Sequence, residues 1–158
     1  MPEIPSHLRE PFARFKAAPT LLRSAVSGVD PALLNRRPKG DEWSIRDVII
    51  HLADTELVRA VRLRMMLAED EPHLPDVEEN LWKRKLHYLW RDPESALSLF
   101  QQTRFANAEL LAQCYADAWE RTAIHATLGV MTVAEQMIRG ADHVDEHVEQ
   151  IRHNRESS

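Results

Sequence analysis

The sequence SIRDVIIHLADTELVRAVRLRMMLA, residues 44–68, carries the apolar spacing of one long helix. Ser44 and Asp47 have the spacing of a capping box, in which the Ser44 side chain accepts a hydrogen bond from the third backbone N–H. The main apolar stripe follows at helical steps: Ile45, Val48, Ile49, Leu52, Ala60, Leu63 and Leu67. Ile50, Leu57 and Val61 form a second apolar side, so we expect a central helix that is buried on two sides and ends near residue 68.

Three more helical patterns accompany this segment. Residues 8–26 have an apolar face interrupted by Pro19, and we expect a kink or break there because proline lacks a backbone N–H. The tripeptide DPE at 92–94 begins another helix, with a capping acid followed by proline at the first helical position. The tetrapeptide TVAE at 132–135 is a second capping box, which begins the last helix.

The segments between these helices complete the predicted architecture. Residues 69–91 form a long connection that we expect to hold one short helix near 78–89. Its aromatic residues either line a pocket or are buried in the bundle: Trp82, Tyr88 and Trp90. The segment before the last helix is predicted to be an extended connection or a hairpin. The fold class is therefore all-α, a single four-helix-bundle domain over residues 1–158 with a long connection between the second and third helices.

Composition narrows the classes of partner. Against 20 Lys+Arg the chain has 25 Asp+Glu, a formal net charge of -5, so no broad basic surface attracts a nucleic-acid backbone. No apolar stretch approaches the roughly 20 residues of a membrane span, and the first residues lack the pattern of a signal peptide. We expect a cytoplasmic protein that acts on a small molecule and binds neither nucleic acid nor membrane.

The spacing of three histidines indicates a metal site. His143 and His147 are four residues apart, about one helical turn, so both imidazoles can reach one ion. His51 lies off the main stripe of the second helix, where a crossing with the last helix would add a third imidazole. Three neutral nitrogens leave a position open for water or substrate, and Gly140 is expected to leave room beside it. Spacing alone also allows surface histidines or histidines satisfied within the bundle.

Residues 143–147 also match the pattern HxxEH, an inverted zinc-peptidase motif with Glu146 as the base. Those enzymes take a further acidic ligand well downstream. Only Glu149 and Glu156 follow the motif here, so we do not expect peptidase activity.

Two charged residues occupy positions where the helical pattern requires apolar ones. Glu56 and Arg104 lie near the middle of the second and third stripes, and because an unpaired buried charge is heavily penalised, they should pair or face one cavity. They are the candidate catalytic residues, and a structural salt bridge is an equal alternative.

Asp54, one turn from His51, either orients that imidazole or is solvated. Cys114, the one cysteine, is expected to pack rather than to act as a nucleophile.

Two groups of motifs resemble the DinB/YfiT-like superfamily. The first is WSI at 43–45 leading to HLADTE at 51–56, and the second is GVMT at 129–132 leading to HVDEH at 143–147 and QI at 150–151. The resemblance spans nearly the whole chain. It implies a four-helix bundle, often dimeric, in which one histidine of the second helix and two of the last bind a divalent metal, frequently zinc or nickel. The matching residues are His51, His143 and His147.

The resemblance also bears on the reaction. Members of the superfamily include thiol-dependent S-transferases that use bacillithiol and mycothiol-dependent isomerases, in which the metal activates the thiol. It therefore implies a homodimeric, metal-dependent transferase or hydrolase, with a low-molecular-weight thiol as a candidate co-substrate. No residue specifies the thiol or the electrophile. The alternative is a metal-binding or metal-free bundle with a regulatory or structural role.

Overall fold

A computed structural model describes residues 1–157 of the chain. The helices are α1 (Arg9–Val26), α2 (Pro31–Leu34), α3 (Ile45–Ala68), α4 (Glu79–Lys85), α5 (Pro93–Ala112) and α6 (Val133–Glu156). Short 3₁₀ helices cover Ser6–Leu8, Tyr88–Trp90 and Ala116–Glu120. The strands are β1 (His73–Leu74), β2 (Thr122–His125) and β3 (Gly129–Thr132). No helix within residues 1–157 combines the length and the hydropathy of a membrane span.

Side chains at the predicted caps fix where the long helices begin. The Ser44 hydroxyl accepts from the Asp47 N–H at 3.1 Å, and the Asp47 carboxylate accepts from the Ser44 N–H at 3.1 Å. Thr132 and Glu135 form the same reciprocal pair at the start of α6. Asp92 caps α5 by accepting from the two backbone N–H groups at 94 and 95. These bonds satisfy N–H groups that have no partner within their helix, so the capping predictions are confirmed.

The helices α1 and α3 lie diagonally across the bundle, since each packs against both α5 and α6. Contacts along α3 show that it runs parallel to α5. Near the start of α3, Arg46 donates to the Arg91 carbonyl at 2.6 Å, and further along Glu56 accepts from the Asn107 amide at 2.8 Å. Parallel neighbours cannot be joined by a short loop, so the chain between α3 and α5 must return along the bundle. This requirement explains the long connection.

A three-stranded sheet lies where α3 ends and α6 begins. β1 pairs in parallel with β2, and β2 pairs antiparallel with β3, with Thr122 opposite Thr132 and His125 opposite Gly129. The β2–β3 hairpin is the one predicted before the last helix, and β3 runs directly into α6. The four-helix bundle is confirmed, and the small sheet is an addition to the all-α prediction.

Buried polar side chains separate two apolar clusters in the core. Along α3, the first cluster ends at Ala53 and the second begins at Leu63. Between these positions lie buried polar side chains from α3 and α5: Glu56, Arg59, Arg104 and Asn107. This group, which we call the polar layer, lies in the middle of the bundle.

Of the kink or break expected at Pro19, the break is wrong, because α1 continues through it from residue 9 to residue 26. In an unbroken helix the Phe15 carbonyl would accept from the N–H at position 19, which proline lacks. The Arg104 guanidinium of α5 fills this place and donates to the Phe15 carbonyl through Nη1 at 3.0 Å. A buried side chain from a neighbouring helix thus replaces the missing backbone donor.

The expectation that α3 is buried on two sides holds only for its first half. Ile50 is fully buried and belongs to the same apolar cluster as Tyr88, which covers this side from the long connection. Leu57 and Val61 are 42% and 50% exposed. The main helical neighbours of α3 are α5 and α6, with smaller contacts to α2 and α4, and beyond the reach of Tyr88 this side of the helix faces solvent.

The long connection contains one short α-helix, as predicted, but α4 ends at Lys85 rather than near residue 89, and the 3₁₀ helix Tyr88–Trp90 follows it. His87 has φ 49°, a left-handed conformation that does not continue a helix. Of the aromatic residues expected here to line a pocket or to be buried, Tyr88 is buried, whereas Trp90 is 77% exposed. Trp82 is half-buried.

Candidate metal centre

Three imidazoles converge between α3 and α6. His51 lies in the first half of α3, and His143 and His147 lie one turn apart on α6. The Nε2 atom of His143 is 3.0 Å from that of His51 and 3.1 Å from that of His147. One nitrogen from each ring lies within 4.8 Å of the others. The structure thus brings together the three histidines that the sequence singles out. They meet where α3 crosses α6, as the sequence analysis requires.

Burial keeps these rings neutral. His51 is fully buried, and burial together with the neighbouring His147 lowers its pKa to about 3. Burial is also the largest cause that lowers the pKa of His143 and the pKa of His147. A neutral imidazole has one N–H and one lone pair, so each ring keeps a lone pair at neutral pH.

Gln150 and Trp43 orient the cluster. Gln150 Oε1 lies 2.8 Å from Nδ1 of His147, and because an amide oxygen only accepts, Nδ1 carries the proton and Nε2 carries the lone pair. The Trp43 ring stacks on His147 with centroids 6.2 Å apart and meets His51 edge to face at 4.8 Å. Nδ1 of His51, by contrast, has no hydrogen-bond partner within residues 1–157.

This donor set fits a divalent transition metal. Three Nε2 atoms so close together cannot all be satisfied by hydrogen bonds to one another, because Nε2 of His147 has no proton and a proton on His143 serves only one neighbour. A cation takes all three lone pairs at once, and imidazole is a ligand of zinc, nickel, copper and iron. Three nitrogens from His51, His143 and His147 leave further coordination positions free.

A cavity of about 470 Å³ adjoins the cluster, and His143 lines it. Its walls come from α3, α4, α6, the segment after β1 and the β2–β3 hairpin. Glu79, the first residue of α4, also lines the cavity and is half exposed, with Oε1 3.8 Å from Nε2 of His51. A small molecule in this cavity therefore reaches both the imidazoles and a carboxylate.

Glu56 and Arg104 pair within the core, as predicted. Arg104 donates from Nε and Nη2 to the two Glu56 carboxylate oxygens at 2.8 and 2.7 Å, and both side chains are at most 2% exposed. Asn107 donates a further bond to Glu56, and Arg104 also donates to the Gly140 carbonyl. Neither partner of the pair lines the cavity. This geometry favours the structural salt bridge over the candidate catalytic role.

Asp54 neither orients His51 nor is solvated. It is 5% exposed, and its two carboxylate oxygens accept from the Arg91 guanidinium at 2.6 and 2.9 Å. Arg91 comes from the end of the long connection, a partner that the pattern along α3 does not reveal.

Cys114 is a packing residue, as expected: it is 9% exposed, and burial raises the pKa of its thiol.

Gly140 makes room for protein rather than for a metal. A Cβ at this position would lie 2.8 Å from Arg59 Nε and 2.8 Å from a ring carbon of Phe15. The space that the sequence suggested for a bound ion is therefore occupied by the Arg59 side chain. The absence of a side chain at 140 allows α6 to approach α3 and α1 closely.

Several cavity residues were missed from the sequence. Arg59 lies two turns after His51 on α3, and Arg139 lies one turn before His143 on α6, so extending the two histidine faces along their helices would have found both. Glu79 and His125 come from α4 and β2. No spacing relates those elements to the histidines, so only the tertiary structure reveals them.

The fold and the histidine cluster define the class: a four-helix-bundle protein with a candidate metal site between two of its helices. The model of the DinB superfamily matches residues 14–151, and the chain belongs to that superfamily. The resemblance drawn from the motifs is thereby confirmed.

Relatives in this superfamily carry provisional names as metal-dependent hydrolases. One from Bacillus licheniformis is 26% identical over 141 residues, which cover 89% of this chain and 80% of the relative. YfiT from Bacillus subtilis is 27% identical over 84 residues, which cover 53% of this chain and 47% of YfiT.

Two solved structures share the architecture. YfiT from Bacillus subtilis, described as a probable metal-dependent hydrolase with an unusual four-helix bundle topology, matches with a TM-score of 0.90 at 21% identity, covering 99% of this chain and 90% of that one. TT2238, described as a four-helix bundle protein, matches with a TM-score of 0.62 at 21% identity, covering 91% of this chain and 97% of that one. At this level of identity the likeness establishes the fold.

Proposed function

We propose that the chain is a metal-dependent hydrolase of a small molecule. One observation carries the proposal: the Nε2 atoms of His51, His143 and His147 converge beside a cavity of about 470 Å³. The provisional names of the relatives support the same reaction class. The preferred candidates for the divalent metal are zinc and nickel. When bound, such an ion supplies Lewis-acid chemistry and lowers the pKa of a nucleophile that it binds.

The chain's own residues hold the ligands in place and handle protons. Gln150 keeps the proton of His147 on Nδ1, so that Nε2 stays free for the metal. The Glu79 carboxylate, 3.8 Å from Nε2 of His51 and open to the cavity, is placed to accept a proton from an incoming nucleophile. Glu146 lines the same cavity and offers a further carboxylate to a bound molecule.

The nucleophile is expected to come from solution. Cys114 is buried, its Sγ donates to the Leu110 carbonyl, and it is absent from the cavity lining. The Thr55 hydroxyl in the cavity donates to the His51 carbonyl. Water is the nucleophile of a hydrolase, whereas a low-molecular-weight thiol is that of the S-transferase implied by the resemblance. A comparison of the two nucleophiles therefore belongs in the test.

Metal analysis of protein purified without a histidine tag is the first test. We expect about one equivalent of a divalent metal in the wild type and in Cys114→Ser, and a loss of at least about ten-fold in metal affinity in His147→Ala. Elemental analysis by mass spectrometry and titration with zinc measure this. Equal metal affinity of His147→Ala and the wild type would contradict the site.

Turnover of a panel of small carboxylic esters, with and without an added thiol, is the second test. We expect hydrolysis that needs metal but no thiol, and unchanged rates in Cys114→Ser. Glu79→Gln should keep the metal but lose about 10²–10⁴-fold in rate, the usual contribution of a positioned base, whereas Glu149→Gln on the outer face of α6 should not. Turnover only with thiol would establish the S-transferase instead. Tight metal binding without turnover would favour the structural or regulatory role.

A further inference from the structure

The cavity continues beyond the histidines along two helices. On α6 its lining runs back from His143 to Arg139 and Gln136, and on α3 it runs forward to Arg59 and Arg62. The two helices are antiparallel here, because His51 meets His143 while Arg59 donates to the Gln136 carbonyl at 3.0 Å. Both rows of side chains therefore lead away from the imidazoles in the same direction, to a region that we call the distal end.

His125 of β2 presents a fixed donor at the distal end. Its Nδ1 accepts from the backbone N–H groups of Thr127 and Leu128, both at 3.1 Å, so the ring proton lies on Nε2. The side chain is 6% exposed and lines the cavity. The tight turn between β2 and β3 thus sets the tautomer and turns this imidazole into a hydrogen-bond donor.

Three guanidinium groups gather near this donor. Burial lowers the pKa of Arg59 to about 10, and the positive charges of Arg62 and Arg139 contribute in the same direction. Both of these arginines also lower the pKa of His125, after burial as the largest cause. Positive charges close enough to disfavour one another create a local positive potential.

Acceptors of the protein satisfy Arg62 and part of Arg59. Arg62 donates through Nε and Nη2 to the Pro75 carbonyl at 2.9 and 2.7 Å, and Arg59 donates through Nη1 to the Gln136 carbonyl. Asp76 faces Arg62 at 3.4 Å and His125 at 3.6 Å, and it accepts from the Thr127 hydroxyl. Arg59 Nε lies 3.5 Å from the Glu56 carboxylate, which Arg104 approaches more closely, at 2.7 and 2.8 Å. Arg59 Nε itself makes no hydrogen bond within residues 1–157.

Two further groups at the distal end lack acceptors. Within residues 1–157, Arg139 makes no ion pair and Nε2 of the buried Gln136 has no partner. The carboxylates Asp142, Glu146 and Glu79 also line the cavity, and Asp142 is held by Arg14. Glu79 and Glu146 lie beside the histidines, since both carboxylates act on His147, and Asp142 lies between Arg139 and His143 on α6.

We propose that the distal end binds an anionic oxygen group of the substrate, a carboxylate or a phosphate, with Arg139 as its main partner and His125 and Gln136 as further donors. The inference rests on the proposed function, since it places the reacting bond at the imidazoles. Along α6, Arg139 and Gln136 lie about 6 Å and about 10 Å from His143. The substrate is therefore a small acid or phosphate ester whose charged group lies at that distance from the bond that reacts.

Anion titration of the metal-free protein tests the subsite without requiring activity. ¹⁵N-labelled protein is titrated with inorganic phosphate and, separately, with acetate at constant ionic strength. We expect saturable shifts of the Thr127 and Leu128 amide signals with at least one anion. Arg139→Gln should raise the dissociation constant about ten-fold, the usual effect of losing a charged hydrogen bond, whereas the control Arg152→Gln, on the outer face of the same helix, should not. The tighter anion identifies the group.

Two outcomes would overturn the proposal: shifts that do not saturate with either anion, or equal binding by Arg139→Gln and the wild type. His147→Ala separates this test from that of the proposed function. It should bind the anion as the wild type does, because the distal end does not involve the metal ligands. Anion binding that disappears in His147→Ala would place the anion on the histidines instead and would contradict the subsite.

Discussion

The carboxylate of Glu56 is the centre of the polar layer. It accepts two bonds from Arg104 and one from Asn107, and Arg59 Nε lies 3.5 Å away. A buried carboxylate is tolerated only when its charge and its lone pairs are satisfied, and these donors from α3 and α5 do both. Arg104 in turn stacks over the Phe15 ring at 3.9 Å, so one guanidinium ties α1, α3, α5 and α6 together.

Replacing Arg104 with methionine should be strongly destabilising. The change leaves Glu56 buried with an unpaired charge and leaves the Phe15 carbonyl without its donor, so we expect a loss of about 3–5 kcal/mol in the free energy of unfolding. Urea unfolding followed by circular dichroism measures it. The control is Arg23→Met, which removes an exposed pair with Glu94 and should cost at most about 1 kcal/mol. Similar losses in the two variants would contradict a charge-satisfying role for Arg104.

At the scale of the elements, the sequence predicts hydrogen bonds within a helix better than those between helices. The caps of α3, α5 and α6 were predicted because their partners lie within four residues along the chain. The continuity of α1 across Pro19 could not be predicted in this way, because the donor that replaces the missing N–H is Arg104 of α5, which is distant in sequence. The pairing of Asp54 is unpredictable for the same reason, since its partner Arg91 lies at the far end of the long connection. Local bonds are thus predictable, whereas those between elements depend on packing.

Gly140 fixes the approach of α6 to α3, and Gly140→Ala should therefore destabilise the protein. Alanine has the better helix propensity by about 1 kcal/mol, but its Cβ would lie 2.8 Å from Arg59 Nε and displace that side chain. We expect a net loss of about 1–3 kcal/mol, the usual cost of overpacking. Thermal unfolding checks this, with Ser24→Ala on the exposed face of α1 as the control. A stabilised Gly140→Ala would show that the close approach is not needed.

Across the whole molecule, the topology creates the candidate site. α3 and α6 are antiparallel neighbours, so their facing sides place His51 beside His143 and Arg59 beside residue 136. The sequence identified the three histidines through helical spacing and the resemblance, because each helix presents a regular face. It did not identify the cavity residues of α4, which lies in the connection between the parallel helices α3 and α5, or those of the β2–β3 hairpin, which follows α5 and pairs with β1. The homodimer implied by the resemblance stays a prediction.

A metal bound by both α3 and α6 should stabilise the whole bundle. Under the proposed function the ion binds the folded chain, where the three imidazoles meet, far better than the unfolded chain, so the gain grows with free metal concentration. At one hundred times the dissociation constant the gain is about 2.7 kcal/mol, which raises the Tm by roughly 5–11 °C for a chain of this size. Differential scanning fluorimetry with increasing zinc or nickel measures the shift, and a chelator should reverse it.

The matched control separates site binding from general effects of the ion. His143→Ala removes the nitrogen closest to both other rings, so its Tm should stay constant over the same range of metal concentration. His153→Ala, on the exposed last turn of α6, should keep the full wild-type shift. Equal shifts in His143→Ala and the wild type would mean that the ion binds elsewhere. A wild-type Tm that does not respond to zinc or nickel would contradict the metal site itself, because an ion joining two helices of the folded state must oppose their separation.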